Sequence, residues 1–252
     1  MPSLDQAALE DHFRVIGLVP GMLLEVHSAL SRFGWVDGGA GAVVRALNAA
    51  VSPGGTLVMS AYPLTKVLPL TDADRALGLA CKVRLLDPDS REPTGMGAVA
   101  DAFRGWPGVR LGPGFHRVAA WGRQAEAVCQ PGAGYGYLLD HGGWTLLLGV
   151  DIHRCSAMHH AEALVPLPPG PALTIPPTVL AAYPPEQWYV EVEPPAPVED
   201  VWGQVQDEAD RLGLLRHRTI GQSPCLLFPT APVVGLYAAR RRAVLERRKD
   251  AG

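Results

Sequence analysis

The sequence lacks several features that would assign the chain to a large class of proteins. It has no run of 18 apolar residues, which a membrane-spanning helix needs, and its first ten residues carry no basic and apolar run of a secretory signal. Cysteine is scarce, with four widely spaced residues and no CxxC pair. A net charge of −3 and a pI near 6.2 argue against general nucleic-acid or anionic-membrane binding. We therefore expect a cytoplasmic protein with reduced thiols.

The composition indicates one large globular unit. Hydrophobic residues make up 48% of the 252 residues, which is enough for a substantial core. The 28 glycines and 24 prolines predict many punctuated loops rather than a helical bundle. We expect a single domain over 1–252, in which the proline-containing segment 63–94 is an excursion that forms a lid or part of a substrate cleft.

The N-terminal part predicts a strand–helix–strand unit. Two near-continuously apolar runs, Met22–Ser28 and Thr56–Tyr62, read as buried strands and flank a helix from about Gly41 to Val51. Strands that are apolar on both faces are typical of an α/β fold with a largely parallel or mixed sheet that is covered on both sides. A first helix is expected over Ser3–Ile16, with Ser3 and Gln6 at capping-box spacing.

The remaining patterns are more irregular. The run QPGAGYG (130–136) reads as a glycine-rich turn. The sequence also predicts three strands and four helices in this part: strands around 118–121, 188–193 and 225–230, and helices at 96–106, 124–129, 198–214 and 231–248.

The stretch LLLGVDIHRCSAMHHAE (146–162) is the best candidate for a site. A buried strand, Trp144–Val150, precedes a short helix whose expected N-cap is Ser156 and whose apolar stripe is Met158, Ala161 and Leu164 or Val165. His159 and Glu162 lie three residues apart and so share another face. A hydroxyl, an imidazole and a carboxylate delivered at the end of a strand are suited to proton transfer.

Long collinear segments resemble a known family. The run GLVPGMLLEVHSALSRFGWVDGGAGAVVRALNAAVSPGGTLVMSAYP is similar to the opening of the aminoglycoside 3-N-acetyltransferases. The similarity recurs at MGAVADAFRGWPGVR, VAAWG, YGYLLDHGGWTLLLGV, SAMHHAE and IGQSPCLLF, and therefore covers almost the whole chain. The resemblance implies an α/β fold with a mixed central β-sheet and helices on both faces.

The resemblance also implies an activity and a set of residues. The activity is transfer of an acetyl group from acetyl-CoA, used as a co-substrate without a metal, to a ring amine of an aminoglycoside antibiotic, with resistance as the associated property. Ser156, His159 and Glu162 correspond to the family's catalytic T-x-x-H-x-x-E segment. The residues that correspond to the CoA-binding loop are His27, Ser28, Leu30, Ser31, Phe33 and Gly34. We expect His159 to be the base, and the protein to be a monomer or homodimer.

Several positions depart from the family pattern. An expected His-Pro pair is Pro113-Gly114, with His116 following, and the next serine is Arg117. An acidic position holds His153, and the threonine of the catalytic segment is Ser156. After the second strand, M-P-T/A reads Met59-Ser60-Ala61. These changes bear on the acceptor and on catalysis more than on CoA binding.

The distribution of charge suggests a property of the acceptor. Between Glu186 and Asp210 there are eight acidic residues and no basic one, whereas nine basic residues lie from Arg211 to Lys249. Carboxylates of this stretch could attract a polycationic aminoglycoside, or they could form a solvated face.

Other interpretations remain open at this stage. His153, Cys155, His159, His160 and Glu162 could ligate a metal, although their spacing fits no common zinc signature. Cys155 could be a nucleophile or a buried thiol, His160 a packing residue, and His27 a structural residue at the strand end. The protein could also acetylate a different amine, or bind CoA or antibiotic without catalysis.

Overall fold

The computed structural model describes residues 4–87, 89–166, 175–192 and 201–250, with side chains described up to Glu246. The strands are β1 (Leu23–Ser28), β2 (Thr56–Ser60), β3 (Leu79–Arg84), β4 (Arg110–Leu111), β5 (Val118–Gly122), β6 (Trp144–Leu148), β7 (Trp188–Val192), β8 (Arg216–Ile220) and β9 (Ser223–Pro229). The helices are α1 (Gln6–Ile16), α2 (Gly39–Val51), α3 (Asp72–Ala76), α4 (Ala98–Arg104), α5 (Ala125–Val128), α6 (Gly134–Asp140), α7 (Met158–Leu164), α8 (Pro177–Ala182), α9 (Val201–Arg211) and α10 (Thr230–Asp250).

The predicted strand–helix–strand unit is present as β1, α2 and β2. The two strands pair in parallel, with Leu24 opposite Leu57, and β1 pairs in parallel with β6 on its other side. In the part of the chain that the structure describes, the main sheet has seven strands in the order β4-β5-β2-β1-β6-β9-β8. Because β5 and β9 pair antiparallel to β2 and β6, the sheet is mixed, as predicted.

Helices cover both faces of this sheet. Alternate strand residues enter opposite cores, so Leu24 packs with α1, α2 and α4, whereas the adjacent Leu23 packs with α6, α7, α9 and α10. In β6, Leu146 likewise packs in the same core as Leu24, and Leu147 in the same core as Leu23. Each fully buried leucine contributes about 1.5–3 kcal/mol through removal of apolar surface from water, so both faces of the strands stabilise the fold. The expected α/β class is confirmed.

The excursion at 63–94 forms a small unit beside the main sheet. Its strand β3 pairs antiparallel with β7, and Leu79, Val179 and Val190 form a separate core. The buried Asp74 accepts hydrogen bonds from Lys82 Nζ at 2.5 Å and from the Tyr183 hydroxyl. An ion pair of this kind ties α3 to β3, because an unpaired buried charge would be costly.

Some local predictions were wrong. The N-cap of α1 is Asp5, whose side chain accepts from Ala8 N at 2.9 Å, whereas Ser3 lies outside the described residues. The expected turn at 130–136 ends in helix α6, and strand β8 was not predicted. Of the helix predicted at 198–214, residues 198–200 lie outside the described residues. No described helix is both long enough and apolar enough to cross a membrane.

Candidate active site

A cleft of about 1410 Å³ opens where β1, β2 and β6 end. Its walls include Ser28 from the end of β1, Ser60 from the end of β2 and Gly149 just after β6. Neighbouring parallel strands bring their carboxyl ends to the same edge of a sheet, and ligands commonly bind in the crevice there. The topology therefore places segments distant in sequence around one space.

The predicted CoA-binding loop lines this cleft, with one exception. The lining residues from the prediction are His27, Ser28, Leu30, Ser31 and Gly34. Phe33 is instead 2% exposed and packs in the core between the sheet and α1, so its side chain does not face the cleft. Phe33 thus anchors the loop in the core, and the other predicted residues lie where a ligand can reach them.

The glycines after this loop bring backbone amides to the cleft. Gly34 and Gly38 have φ of 81° and 76°, in the left-handed region that other residues rarely adopt, and both line the cleft. Gly38 is the N-cap of α2, so the positive end of that helix's dipole lies at the cleft, where an anion would be favoured.

Three cationic side chains that sequence reasoning did not single out also line the cleft. They are Arg32, Lys66 and Arg154, which come from three separate loops. In the sequence they look like ordinary surface charges, and only the fold brings them to one space. Together with the start of α2 they give the cleft positive charge that suits phosphate groups.

The predicted dyad is formed in the structure. His159 Nδ1 lies 2.8 Å from Glu162 Oε2, and the Tyr237 hydroxyl of α10 donates to Glu162 Oε1 at 2.7 Å. The hydrogen bond from His159, and next the one from Tyr237, lower the pKa of Glu162 despite its partial burial. An ionised Glu162 holds the proton on His159 Nδ1, so Nε2 is the nitrogen that can accept a proton.

Ser156 is in the site, but it is not the N-cap of α7. That position is Ala157, in a helical conformation without a side-chain cap. The Ser156 hydroxyl instead lies 3.0 Å from Ser60 Oγ, which in turn lies 2.7 Å from the Tyr135 hydroxyl. Met158, Ala161 and Val165 form the buried stripe of α7, whereas Leu164 is 59% exposed.

A buried carboxylate connects His27, at the start of the cleft-lining loop, with the start of α7. Glu25 is fully buried, and its Oε1 lies 2.7 Å from His27 Nε2 and accepts from Ala157 N at 3.2 Å. Its Oε2 accepts from Thr145 Oγ1 at 2.8 Å. His27 therefore both lines the cleft and has a structural contact. Sequence reasoning missed Glu25, although a charged residue inside an apolar strand was an available signal.

Aromatic rings flank the His159 imidazole. His116 stacks parallel to it with ring centroids 6.1 Å apart, and Trp202 approaches edge-on at 5.6 Å. Burial, followed by the nearby His159, lowers the pKa of His116. The replaced His-Pro pair, Pro113-Gly114, is thus followed by a histidine that does reach the site. Arg117 turns away and donates from Nε to the Ala61 carbonyl.

The structure does not favour the alternative sites. His153 lies beside Asp151 on the rim, with Nδ1 3.1 Å from Oδ1. Cys155 is fully buried, and burial raises the pKa of its thiol well above the ordinary value, which disfavours a nucleophilic thiolate. His160 packs closely against α6, where a side chain at Gly136 would meet its ring. Within the described parts of the chain, no three His, Cys, Asp or Glu side chains converge as metal ligands would.

Comparisons with known proteins agree with this geometry. A family model described as aminoglycoside 3-N-acetyltransferase matches residues 26–240. The SPbeta prophage-derived aminoglycoside N(3')-acetyltransferase-like protein YokD of Bacillus subtilis (strain 168) is 30% identical over 186 residues, covering 66% of this chain and 66% of that protein. Aminoglycoside N(3)-acetyltransferase III of Serratia marcescens is 31% identical over 175 residues, covering 61% and 62%. The chain thus spans less than two thirds of the length of either relative.

A solved structure shares the fold. The binary complex of AAC-IIIb with CoASH superposes with a TM-score of 0.71 at 22% identity, covering 96% of this chain and 97% of that one.

Proposed function

The chain belongs to the aminoglycoside 3-N-acetyltransferase family, and we propose that it transfers the acetyl group of acetyl-CoA to the 3-amino group of an aminoglycoside antibiotic. The observation that carries this proposal is the convergence of two segments in one cleft. The loop from His27 to Gly34 and the Ser156, His159 and Glu162 segment lie more than 110 residues apart in sequence, yet both border the same space. We take Ser156, His159 and Glu162 as the catalytic residues.

The proposed chemistry begins with the acceptor amine. His159 Nε2 accepts a proton from the amine as its nitrogen attacks the thioester carbon, and a C–N bond forms while the carbonyl electron pair moves to oxygen. Glu162 stabilises the resulting imidazolium through the 2.8 Å hydrogen bond at Nδ1. A positioned general base of this type contributes roughly 10²–10⁴-fold to the rate.

The second step releases the thiol. The oxyanion re-forms the carbonyl, the C–S bond breaks, and the leaving thiolate takes the proton from His159. Hydrogen-bond donors near the reacting carbon stabilise the oxyanion, and Ser156 supplies one of them. The amide product and CoA then leave, with His159 neutral again.

We propose that CoA occupies the arm of the cleft between the His27–Gly34 loop and the start of α2. The positive end of the α2 dipole, where Gly38 and Gly39 line the cleft, and the cations Arg32, Lys66 and Arg154 fit the negative charge of its phosphates. His27, Ser28, Leu30, Ser31 and Gly34 would line the pantetheine path. Phe33 supports the loop from the core.

The acceptor would bind beside the aromatic rings, with the segment 63–94 as one wall of a single-domain enzyme. Tyr189 of its partner strand packs against Phe115 with ring centroids 6.0 Å apart, and Phe115 packs in turn against Tyr62 of the cleft wall at 6.2 Å. This arrangement supports a role for the segment as part of the substrate cleft, as the sequence suggested.

A second acceptor class is favoured by where the acidic stretch lies. Glu208 pairs with Arg240 at 2.7 Å and Asp210 Oδ1 lies 2.7 Å from His217 Nε2, so both carboxylates already have partners within the protein. Among the described residues that line the cleft, the acidic one is Asp151. A less highly charged amine would therefore also suit the site, and a substrate panel must include such amines.

The proposal is tested by thiol release from acetyl-CoA with a panel of aminoglycosides and simpler ring amines, with product masses read in parallel. We expect one acetyl group to be added per thiol released, on an aminoglycoside. Transfer only to simpler amines would favour the second acceptor class. Binding of CoA without thiol release would instead indicate a non-catalytic family member.

A further inference from the structure

Four hydroxyl groups meet at the wall of the cleft beside Ser156. Ser60 Oγ lies between the Tyr135 hydroxyl, at 2.7 Å, and Ser156 Oγ, at 3.0 Å. The Tyr62 hydroxyl lies close to those of Ser156 and Tyr135. Ser60, Tyr62 and Ser156 line the cleft, whereas Tyr135 lies behind them with 7% exposure. The family pattern has proline at the position of Ser60, so the pattern provides no hydroxyl there and this chain does.

The chemistry of the groups gives the hydrogen-bond chain a direction. Burial raises the pKa of the Tyr135 hydroxyl well above its ordinary value, so this group keeps its proton. A phenol is a stronger acid than an aliphatic alcohol and is therefore the better donor, so Tyr135 donates to Ser60. Ser60 has one proton, which it then donates to Ser156 Oγ. Ser156 then keeps its own proton for another acceptor, which is either the nearby Tyr62 hydroxyl or a ligand in the cleft.

Tyr62 supplies a second unused donor. Its hydroxyl is buried, and although the Ser156 and Tyr135 hydroxyls lie near enough to oppose the rise in its pKa, no described residue makes a hydrogen bond of normal geometry with it. Buried polar groups are almost always paired, so an unpaired hydroxyl in the wall of a cleft calls for an explanation. Burial raises the pKa of Tyr62, so it too remains a donor.

We propose that Tyr62 and Ser156 form a two-donor site for the thioester oxygen of acetyl-CoA, in which Ser60 and Tyr135 are positioning residues that turn the Ser156 proton toward that oxygen. This inference rests on the proposed function and deepens it. In the tetrahedral intermediate the carbonyl electron pair is on oxygen, where both hydroxyls donate to it. When the C–S bond breaks, the pair returns to the carbonyl and both hydroxyls keep their protons.

The kinetic test uses Ser60→Ala, Tyr135→Phe, Tyr62→Phe and Ser156→Ala. Loss of a direct donor, in Ser156→Ala or Tyr62→Phe, should lower kcat by about 10²-fold, within the range for an oxyanion donor. Ser60→Ala and Tyr135→Phe should each lower kcat about tenfold, with KM for acetyl-CoA changed less than about twofold and an unchanged pH profile. Adding Ser60→Ala to Ser156→Ala should cause no further loss, because both changes remove the same hydrogen bond.

Ser223→Ala is the matched control. Ser223 is another fully buried strand serine, and its hydroxyl also has no hydrogen-bond partner among the described residues, but it does not line the cleft. Its kcat should stay at the wild-type value. Wild-type kcat in Ser60→Ala and Tyr135→Phe, or fully additive losses in the double variant, would overturn the inference.

A binding measurement separates this inference from the proposed function. The acetyl group carries the oxygen that the site would bind, and CoA lacks it. By titration calorimetry the wild type should bind acetyl-CoA about threefold or more tightly than CoA, and Ser60→Ala and Tyr62→Phe should lose that preference. If the wild type prefers acetyl-CoA to CoA but releases no thiol with any amine, the proposed acetyltransferase function is rejected and the two-donor site is retained. Equal affinities for the two ligands in the wild type would reject the site.

Discussion

His159 Nδ1 and Glu162 Oε2 lie 2.8 Å apart, one turn of α7 from each other. This short contact fixes which imidazole nitrogen carries the proton, and it does so from within one helix. Tyr237 of α10 holds the other carboxylate oxygen, so the orientation of the pair also depends on packing between α7 and α10. The dyad is therefore set by local sequence and secured by tertiary structure.

Replacing Glu162 with Gln should reduce turnover about 10–10²-fold. The amide is close in size to the carboxylate but cannot stabilise the imidazolium by charge, so the affinity for acetyl-CoA should remain within about twofold. Tyr237→Phe, which removes the hydrogen bond to Oε1 and leaves the carboxylate in place, is a graded control with a smaller loss. Steady-state kinetics with calorimetry would check both. A loss of acetyl-CoA affinity as large as the loss of turnover would indicate a structural role for Glu162.

Gly38→Ala should weaken CoA binding about 5–10-fold. Its φ of 76° is strained for alanine, and a Cβ there would lie 3.2 Å from Ala42 Cβ, so the first turn of α2 would have to shift. Gly54→Ala is the matched control, since its φ of 84° is similarly left-handed but it lies outside the cleft and its Cβ would meet nothing within 4 Å. Both variants should lose about 1–2 kcal/mol of stability. Equal CoA affinities in the two would contradict the assignment of this helix start to CoA.

Asp74→Asn should destabilise the small unit in a pH-dependent way. Hydrogen bonding, first from Lys82, holds the pKa of Asp74 well below its ordinary value of 3.8. A depressed carboxyl pKa stabilises the folded state above the ordinary value, and this contribution is lost as the pH falls toward the folded pKa. The variant should therefore have a lower Tm than wild type at pH 7, and the gap should narrow between about pH 5 and pH 2.

Asp72→Asn is the control for this series. Asp72 belongs to the same helix α3, but its side chain is fully exposed. Its ion pair with Arg75 is long, at 3.7 Å, so the pair contributes little to stability. Its Tm should follow that of the wild type at every pH. An Asp74→Asn variant whose deficit in Tm is the same from pH 7 to pH 2 would show that the ionised carboxylate does not stabilise the fold.

The parts of the structure that could be predicted from sequence are those in which local pattern and tertiary packing agree. The unit β1–α2–β2 shows apolar strands, a glycine-rich start and a helical period within about forty residues, so each signal reinforces the next. The three-residue spacing placed His159 and Glu162 on one helix face, and the structure shows that they are in contact. Helix α6 was missed because Gly132, Gly134 and Gly136 weaken a helix signal that packing against α7 and α10 overrides.

The contacts of Ser156 and Phe33 needed the fold. Ser156 was assigned as an N-cap because serine favours that position, yet its hydroxyl bonds to Ser60, 96 residues away. Phe33 was grouped with its loop neighbours because sequence does not show which loop side chains turn inward. The cations Arg32, Lys66 and Arg154 converge only when three loops meet. Long-range geometry of this kind leaves no mark in a local sequence pattern.

The most direct test of the central assignment is the rate of thiol release by His159→Ala, measured beside His116→Ala and His153→Ala with saturating acetyl-CoA and the best acceptor amine. If His159 is the base, its variant should lose about 10²–10⁴-fold in kcat while still binding acetyl-CoA, and the other two should lose much less. Near-normal turnover in His159→Ala, with loss of activity in His116→Ala or His153→Ala, would contradict the assignment. The base would then be the histidine whose replacement abolishes activity.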